Sequence, residues 1–190
     1  CFICNASNLS SLYYTYDRHY GNINKCYNVD QCDNCKLLFL NPMITGEELH
    51  SLYDDDTYYA YQPFEIDEKP SLLQKIGRRL LRIKAGDPKF DSRGKEILDI
   101  GCGSGRELFF YKKEGALVTG VEISKSGAAF GNKFGLNIFN GTLIEANLPG
   151  DKYDYIRSNH SFEHLVNPVE TAKEIFRITK PGGIVFIGVP

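Results

Sequence analysis

Apolar and polar positions follow two different rhythms in this chain, and the change comes near Lys95. From there on, short apolar runs alternate with stretches of helical period. "EILDI" is dense enough in apolar residues to predict a buried strand. "RELFFYKKEG" predicts a helix ending near Gly115. "ALVTGVEI" predicts a second strand, and "KSGAAFGNKFG" a helix closed by Gly135. "LNIFNG" and "YDYIRSN" predict a third and a fourth strand. "NPVETAKEIFRIT" predicts a helix with Asn167 as its cap and Pro168 at its first position, where a missing N–H costs nothing. "KPGG" then predicts a turn, and "IVFIGV" a fifth strand. Strands alternating with helices imply an α/β, doubly wound parallel sheet with helices on both faces. Ligands of such sheets sit at the carboxyl ends of the strands, near the point where strand order reverses.

Before Lys95 the pattern is weaker. Residues 1–44 are polar and tyrosine-rich, with one strand-like segment, "CKLLFLNP". "TGEELHSLY" predicts a helix start, with Thr45 and Glu48 spaced as a capping box. "YDDDTYYAYQP" is acidic and aromatic. In "SLLQKIGRRLLRIKA", Leu73, Ile76, Leu80 and Ile83 share one helical face. Lys75, Arg78, Arg79, Arg82 and Lys84 lie elsewhere on it, as a solvated face or a phosphate patch. "GDPKFDSRG" reads as a linker. The organisation expected is a small module over 1–44, a helical connector or lid over 45–93, and the sheet domain over 94–190.

The formal net charge is −2, so nothing global draws the chain to nucleic acid or membrane. No apolar run approaches the roughly 20 residues of a membrane span, and no signal peptide is visible. The chain starts at Cys1 and its single methionine is Met43, which predicts a native start further upstream. The location expected is cytoplasmic.

Four of the six cysteines form two C-x-x-C hooks, Cys1 with Cys4 and Cys32 with Cys35. Each hook offers two thiolates from one tight turn, and two hooks complete a tetrahedral Cys4 shell for zinc. Such a shell is closed, so the zinc would be structural. The competing reading is a pair of disulfides, which an intracellular chain with cysteines to spare disfavours. Cys26 is a weaker rival as ligand, and Cys102 stands apart.

Gly101, Gly103 and Gly105 follow the first strand of the sheet domain, a turn that brings bare backbone close to a ligand at a helix start. Asp99 ends that strand, and Glu122 ends the next one 23 positions later. An acid there can accept hydrogen bonds from both hydroxyls of a ribose. A nicotinamide or flavin dinucleotide would want G-x-G-x-x-G, with its third glycine at position 106, which is arginine here.

The order Asp-x-Gly-x-Gly-x-Gly instead resembles the loop of Rossmann-like (class I) S-adenosylmethionine-dependent methyltransferases. "EILDIGCGSG", "VTGVEIS", "FNGTLIEANLP", "KYDYIRSNHSFEHLVNP" and "ITKPGGIVFIGVP" resemble five consecutive landmarks of that family, covering Lys95 to Pro190. "CDNCKLLFLNPMITGEELHSLYDDDTYY" is similar to the cysteine-pair zinc module that opens some bacterial sugar and small-molecule methyltransferases. The resemblance implies that Asp99, Gly101, Cys102, Gly103, Ser104 and Gly105 line the methionine moiety. It implies Glu122 on the ribose, Ile123 against the adenine, and Thr142 and Leu143 at the adenine edge. Many relatives have an acid near Thr142, and this chain does not. Asn159 and His160 would lie beside the transferred methyl. The expected reaction is methyl transfer to a small-molecule acceptor, a sugar or sugar nucleotide of surface-glycan or secondary metabolism.

The sulfonium makes the methyl electrophilic, so alignment with a nucleophile does most of the work. A hydroxyl nucleophile profits from a general base, and His160 and His164 are the candidates. Each has a bland alternative, a packing or capping histidine after a strand. Glu163 beside His164 resembles half of a divalent-metal site in some methyltransferases, or it organises the loop before Asn167. Tyr58, Tyr59 and Tyr61, with Tyr53, suit either a lid over a sugar ring or packing between modules. Glu163 joins them as a substrate contact.

Two other functions compete. In one the chain modifies RNA through its zinc module. Cys1–Cys35 holds only Arg18 and Lys25 as basic residues against Asp17, Asp30 and Asp33, which opposes a phosphate-tracking surface. In the other it is a non-catalytic cofactor-binding module. The sheet stops after its fifth strand where the family adds two more. That predicts a truncated fold with an exposed edge, poor activity alone, and a homodimer as one way to cover the edge.

Overall fold

A computed structural model describes residues 1–16, 26–46 and 90–190, with positions 71, 73, 76, 77, 80, 86 and 88. The chain forms two compact units, Cys1–Asp54 and Asp55–Pro190.

The first unit is a three-stranded antiparallel sheet in the order β1–β2–β3, with β1 at Leu9–Tyr16, β2 at Cys26–Cys32 and β3 at Leu38–Asn41. The sequence pattern predicted only β3. β1 reads "LSSLYYTY", whose alternation is interrupted by a bulge between Ser11 and Tyr13, so its period-2 signal is faint. Its pairing with β2 is long-range and invisible to local periodicity. Glu48 of the expected capping box, Ile83 and the basic positions of the connector lie outside the described residues. Leu73, Ile76 and Leu80 are helical but exposed. Periodicity sets the helix; it does not supply the partner that covers the apolar face.

The second unit follows the predicted order closely. Its strands are β4 (Glu96–Ile100), β5 (Leu117–Glu122), β6 (Ile138–Asn140), β7 (Tyr153–Asn159) and β8 (Thr179–Gly188). They form one parallel sheet in the order β6–β5–β4–β7–β8. Helices α1 (Arg106–Lys113), α2 (Lys125–Lys133) and α3 (Pro168–Ile178) connect them. Successive strand residues face opposite sides. Ile97 and Tyr155 pack with Tyr111 of α1, whereas Leu98 and Ile156 pack with Ile175 and Ile178 of α3. Leu108 of α1 and Ala128 of α2 share a third cluster with Ile138. Helices therefore cover both faces. The predicted turn "KPGG" is instead a bulge inside β8: Tyr153 pairs with Thr179, the next rung is Tyr155 with Ile184, and Gly182 takes φ 77°. Strand order reverses beside β4, whose neighbours β5 and β7 lead away in opposite directions.

At the amino ends of the strands, Asp154 binds Lys180 Nζ (2.7 Å), the Glu96 amide (3.0 Å) and Lys95 Nζ (3.3 Å). Lys180, then the Glu96 amide and Lys95, hold its carboxyl down at about 2, against partial desolvation. A depressed carboxyl contributes stability that is present above its unfolded value near 4 and is lost as pH falls through its folded value. Asp154→Asn is therefore expected to lower the melting temperature at pH 6, with the difference closing between about pH 4 and pH 2. Melting curves of both proteins over that range check it.

Candidate active site

The site is built from the carboxyl ends of β4 to β7. β4 delivers Asp99 and Ile100 to the glycine turn. Gly101 has φ 70°, and a side chain there would meet Ser161, whose Oγ would stand 2.7 Å from an added Cβ. Gly105 has φ 81° and caps α1, and a Cβ there would be 2.5 Å from Leu136. Both positions thus require glycine for conformation and for room. No side chain caps α1.

Glu122, at the end of β5, is 3% exposed. The Gly103 N–H donates to its Oε2 (2.7 Å), and the Ser124 N–H donates to its Oε1 (2.8 Å). One buried carboxylate therefore straps the glycine turn to the β5–α2 junction. Ser124 caps α2 in turn by accepting from the Gly127 N–H (3.0 Å). The Asn140 side-chain amide at the end of β6 donates to the main-chain oxygens of Glu122 (3.0 Å) and Ile123 (2.9 Å).

Asp99 faces Arg157 across the β4–β7 ladder. Arg157 Nη1 donates to both Asp99 oxygens, at 3.2 and 3.1 Å. Asp99 is buried and Arg157 half-buried, with side chains 4% and 13% exposed. Cys102 turns its thiol inward onto the cluster around Leu108 and Ile138. Burial, then the Asp99 and Glu122 carboxylates, push that thiol well above the ordinary range. Only its main chain is left to face a ligand. Ser104 is buried as well.

After β6, the Thr142 N–H and hydroxyl donate to Glu145 Oε2, at 2.7 and 2.8 Å. The Thr142 amide, then its hydroxyl, hold the Glu145 carboxyl below the usual range. An acid thus does lie at this loop, contributed three residues later than the family pattern suggests. Leu143 belongs to the central core and Ile123 is half-buried.

After β7, His160 takes φ 52°, a left-handed conformation uncommon outside glycine. Its N–H donates to the Gly188 carbonyl (2.8 Å). Asn159 is half-buried beside it, and its side chain occupies the space that a side chain on Gly188 would need. A short 3₁₀ turn, Phe162–His164, brings Glu163 between the two histidines. Its Oε1 lies 4.0 Å from His160 Nδ1 and 3.7 Å from His164 Nε2, beyond hydrogen-bond length. Both imidazoles are accessible. Asp99, the glycine turn, Glu122, Asn159, His160, Glu163 and His164 thus all stand at or just after the carboxyl ends of β4, β5 and β7. Tyr58, Tyr59 and Tyr61 lie outside the described residues. Arg157, Asn140, Glu145 and Ser161 were missed; only Arg157 left a signal, as a charge inside an apolar strand.

In the first unit the four hook thiols converge. Their sulfurs all lie within 4.8 Å of one another, with Cys1–Cys35 at 3.6 Å and Cys4–Cys32 at 3.5 Å. The hooks are built alike. Asn5 and Lys36, each left-handed, return their N–H to the carbonyl of the first cysteine of their hook, at 2.9 Å in both cases. None of the cysteines is in a disulfide. The Ala6 amide, then the Asn34 side chain, lower Cys4 to about 6. Cys35 is pulled down by the Leu37 amide but ends raised, through desolvation and the neighbouring thiols Cys4 and Cys32.

Comparison with known proteins places this geometry. Ubiquinone biosynthesis O-methyltransferase of Pseudomonas fluorescens is 28% identical over 114 residues, covering 56% of this chain and 49% of that enzyme. The chain therefore spans about half the length of such relatives. Phosphoethanolamine N-methyltransferase 2 of Haemonchus contortus, solved with phosphomonomethylethanolamine and S-adenosylhomocysteine, superposes with a TM-score of 0.51 at 25% identity, over 58% of this chain and 27% of that one. The [4+2]-cyclase SpnF shares the fold, with a TM-score of 0.52 at 23% identity over 68% of this chain and 51% of its own. One fold thus carries different chemistries, and function has to be read from the site. Residues 67–190, more than half of the chain, match the family described as a methyltransferase domain, and to that family the chain belongs.

Proposed function

We propose that this chain is the cofactor-binding part of an S-adenosylmethionine-dependent methyltransferase that methylates a hydroxyl of a small molecule in the cytoplasm. A sugar or sugar nucleotide is the acceptor class it suits. The observation that carries this reading is the glycine turn strapped to a buried Glu122 where strand order reverses. The residues present fit the cofactor: Gly101 and Gly105 keep the turn free of side chains, and the Glu122 carboxylate, an acceptor suited to ribose hydroxyls, is fixed at the turn by the Gly103 and Ser124 N–H groups.

When bound, the cofactor supplies a methyl group made electrophilic by its sulfonium. Asp99, Gly101, Gly103 and Gly105, with the main chain of Cys102 and Ser104, hold the methionine moiety. Ile123, Thr142 and Leu143 border the adenine. Asn159 and His160 face the reacting end, and His160 takes the acceptor's hydroxyl proton, with His164 as the second candidate base. The Pseudomonas relative, an O-methyltransferase by name, supports oxygen as the acceptor atom. Titration of S-adenosylhomocysteine into the protein by calorimetry tests the assignment. Saturable binding near one per chain is expected; no binding by a folded sample overturns it.

We also propose that Cys1, Cys4, Cys32 and Cys35 hold a structural zinc ion. A tetrahedral site with zinc–sulfur bonds of about 2.3 Å has sulfurs about 3.8 Å apart. The two sulfur pairs above lie close to that spacing. Four thiolates leave zinc no open position, so its role is to stabilise a sheet too small to hold by its own core. One zinc per chain is expected by metal analysis. Cys32→Ser should lose it, together with protection of the β1–β2 amides from hydrogen exchange. A metal-free wild type with full protection would sink this proposal.

A further inference from the structure

The glycine turn and the His160 loop are joined through one hydroxyl. Ser161 Oγ donates to the Ile100 carbonyl (2.7 Å) and lies 2.7 Å from Ser158 Oγ. A carbonyl only accepts, so the Ser161 proton goes to Ile100 and Ser158 donates to Ser161. Ile100 is the last residue of β4, one position beyond the last β4–β7 rung, Asp99 with Arg157. The ladder therefore stops just short of the turn, and the Ser161 hydroxyl adds one more tie between the two chain segments. On the other side, Ser161 closes off Gly101: an added Cβ there would be 2.7 Å from its Oγ and closer still to its Cβ.

The residue before Ser161 is His160, in its left-handed conformation. Such a conformation costs on the order of 1 kcal/mol or more and persists only where neighbours over-determine it. Here the restraints are visible. The His160 N–H is tied to Gly188, the Ser161 hydroxyl to Ile100, and the His164 N–H to the Ser161 carbonyl (3.1 Å). Two of the three run through Ser161.

We propose that Ser161 is a positioning residue that couples occupancy of the glycine turn to the orientation of His160. It rests on the reading of that turn as the cofactor site and of His160 as the base. A ligand that presses on Gly101 presses on Ser161, and Ser161 carries the displacement to the His160 backbone. By linkage, whatever fixes Ser161 also improves the affinity of the turn for its ligand.

The test follows the His160 imidazole by NMR, assigned with His160→Gln, during titration with S-adenosylhomocysteine, while calorimetry measures binding. In the wild type the His160 resonances are expected to move in step with binding. Ser161→Ala is expected to bind about tenfold more weakly and to lose the His160 response. Ser158→Ala removes a neighbouring hydroxyl but leaves the Ser161–Ile100 bond, so it should keep the response; a purely structural role would make the two variants behave alike. Gly101→Ala approaches from the other side and should shift His160 with no ligand present, which covers the case in which Ser161→Ala does not fold. An unchanged His160 response in Ser161→Ala, or an unshifted His160 in Gly101→Ala, overturns the coupling while leaving the cofactor assignment intact. Absence of binding by the wild type overturns both.

Discussion

Glu122→Ala is expected to weaken S-adenosylhomocysteine binding at least a hundredfold. The carboxylate does two jobs. It accepts from Gly103 and Ser124, two main-chain donors that pack under the turn. Hydrogen bonds to a charged group contribute about 1.5–3 kcal/mol each, and a buried donor left without its acceptor costs about 1–3 kcal/mol. In the proposed complex it also holds the ribose hydroxyls. Losing the ribose contacts alone accounts for roughly a hundredfold, since each factor of ten is about 1.4 kcal/mol. Loosening of Gly103 adds to that. Glu122→Gln sharpens the test, because its amide oxygen can still accept one N–H while its NH2 meets the other donor head-on. It should bind almost as poorly as the alanine variant despite equal size. Calorimetry on samples whose melting curves confirm folding reads the result. Affinity within threefold of wild type in Glu122→Ala would place the ligand elsewhere.

The second large effect concerns Arg157. Arg157→Met keeps the length of the side chain and removes the charge that faces Asp99. Breaking a buried pair from one side costs about 3–5 kcal/mol, because a carboxylate stays behind in a low-dielectric site. For a chain of this size that is a fall in melting temperature of roughly 6–20 °C. Asp99→Asn combined with Arg157→Met should recover most of it, because the stranded charge has gone. A double variant no more stable than the single one would show that the pair is not the source of the loss.

Asp99 illustrates how far the sequence reaches. Its place at the end of an apolar strand, two residues before a glycine turn, marks it as a candidate site residue. Nothing local says that an arginine 58 positions later neutralises it. Arg157 is visible only as a charge in "YDYIRSN", and its partner depends on which strand lies next to β4. The same holds at Thr142. The missing acid is a local observation, whereas the return of Glu145 onto the Thr142 amide depends on how the loop folds back. For Cys102 the motif supplied a position, but the register of β5, with Gly120 beneath it, turned the thiol inward.

The sequence by itself determined the order and type of elements after Lys95, the glycine turn, the acid at the end of β5 and the two cysteine hooks. Each of these is written within one strand, one helix turn or one tight loop, where hydrophobic period and backbone sterics act over a few residues. Only the tertiary structure decided the β1–β2 pairing, the Asp99–Arg157 pair, the strap from Glu122 to Gly103 and the hydroxyl link from Ser161 to Ile100. These contacts join residues 10 to 61 positions apart in the chain. Their existence rests on strand order and register, which the burial of the whole sheet selects and no local window contains.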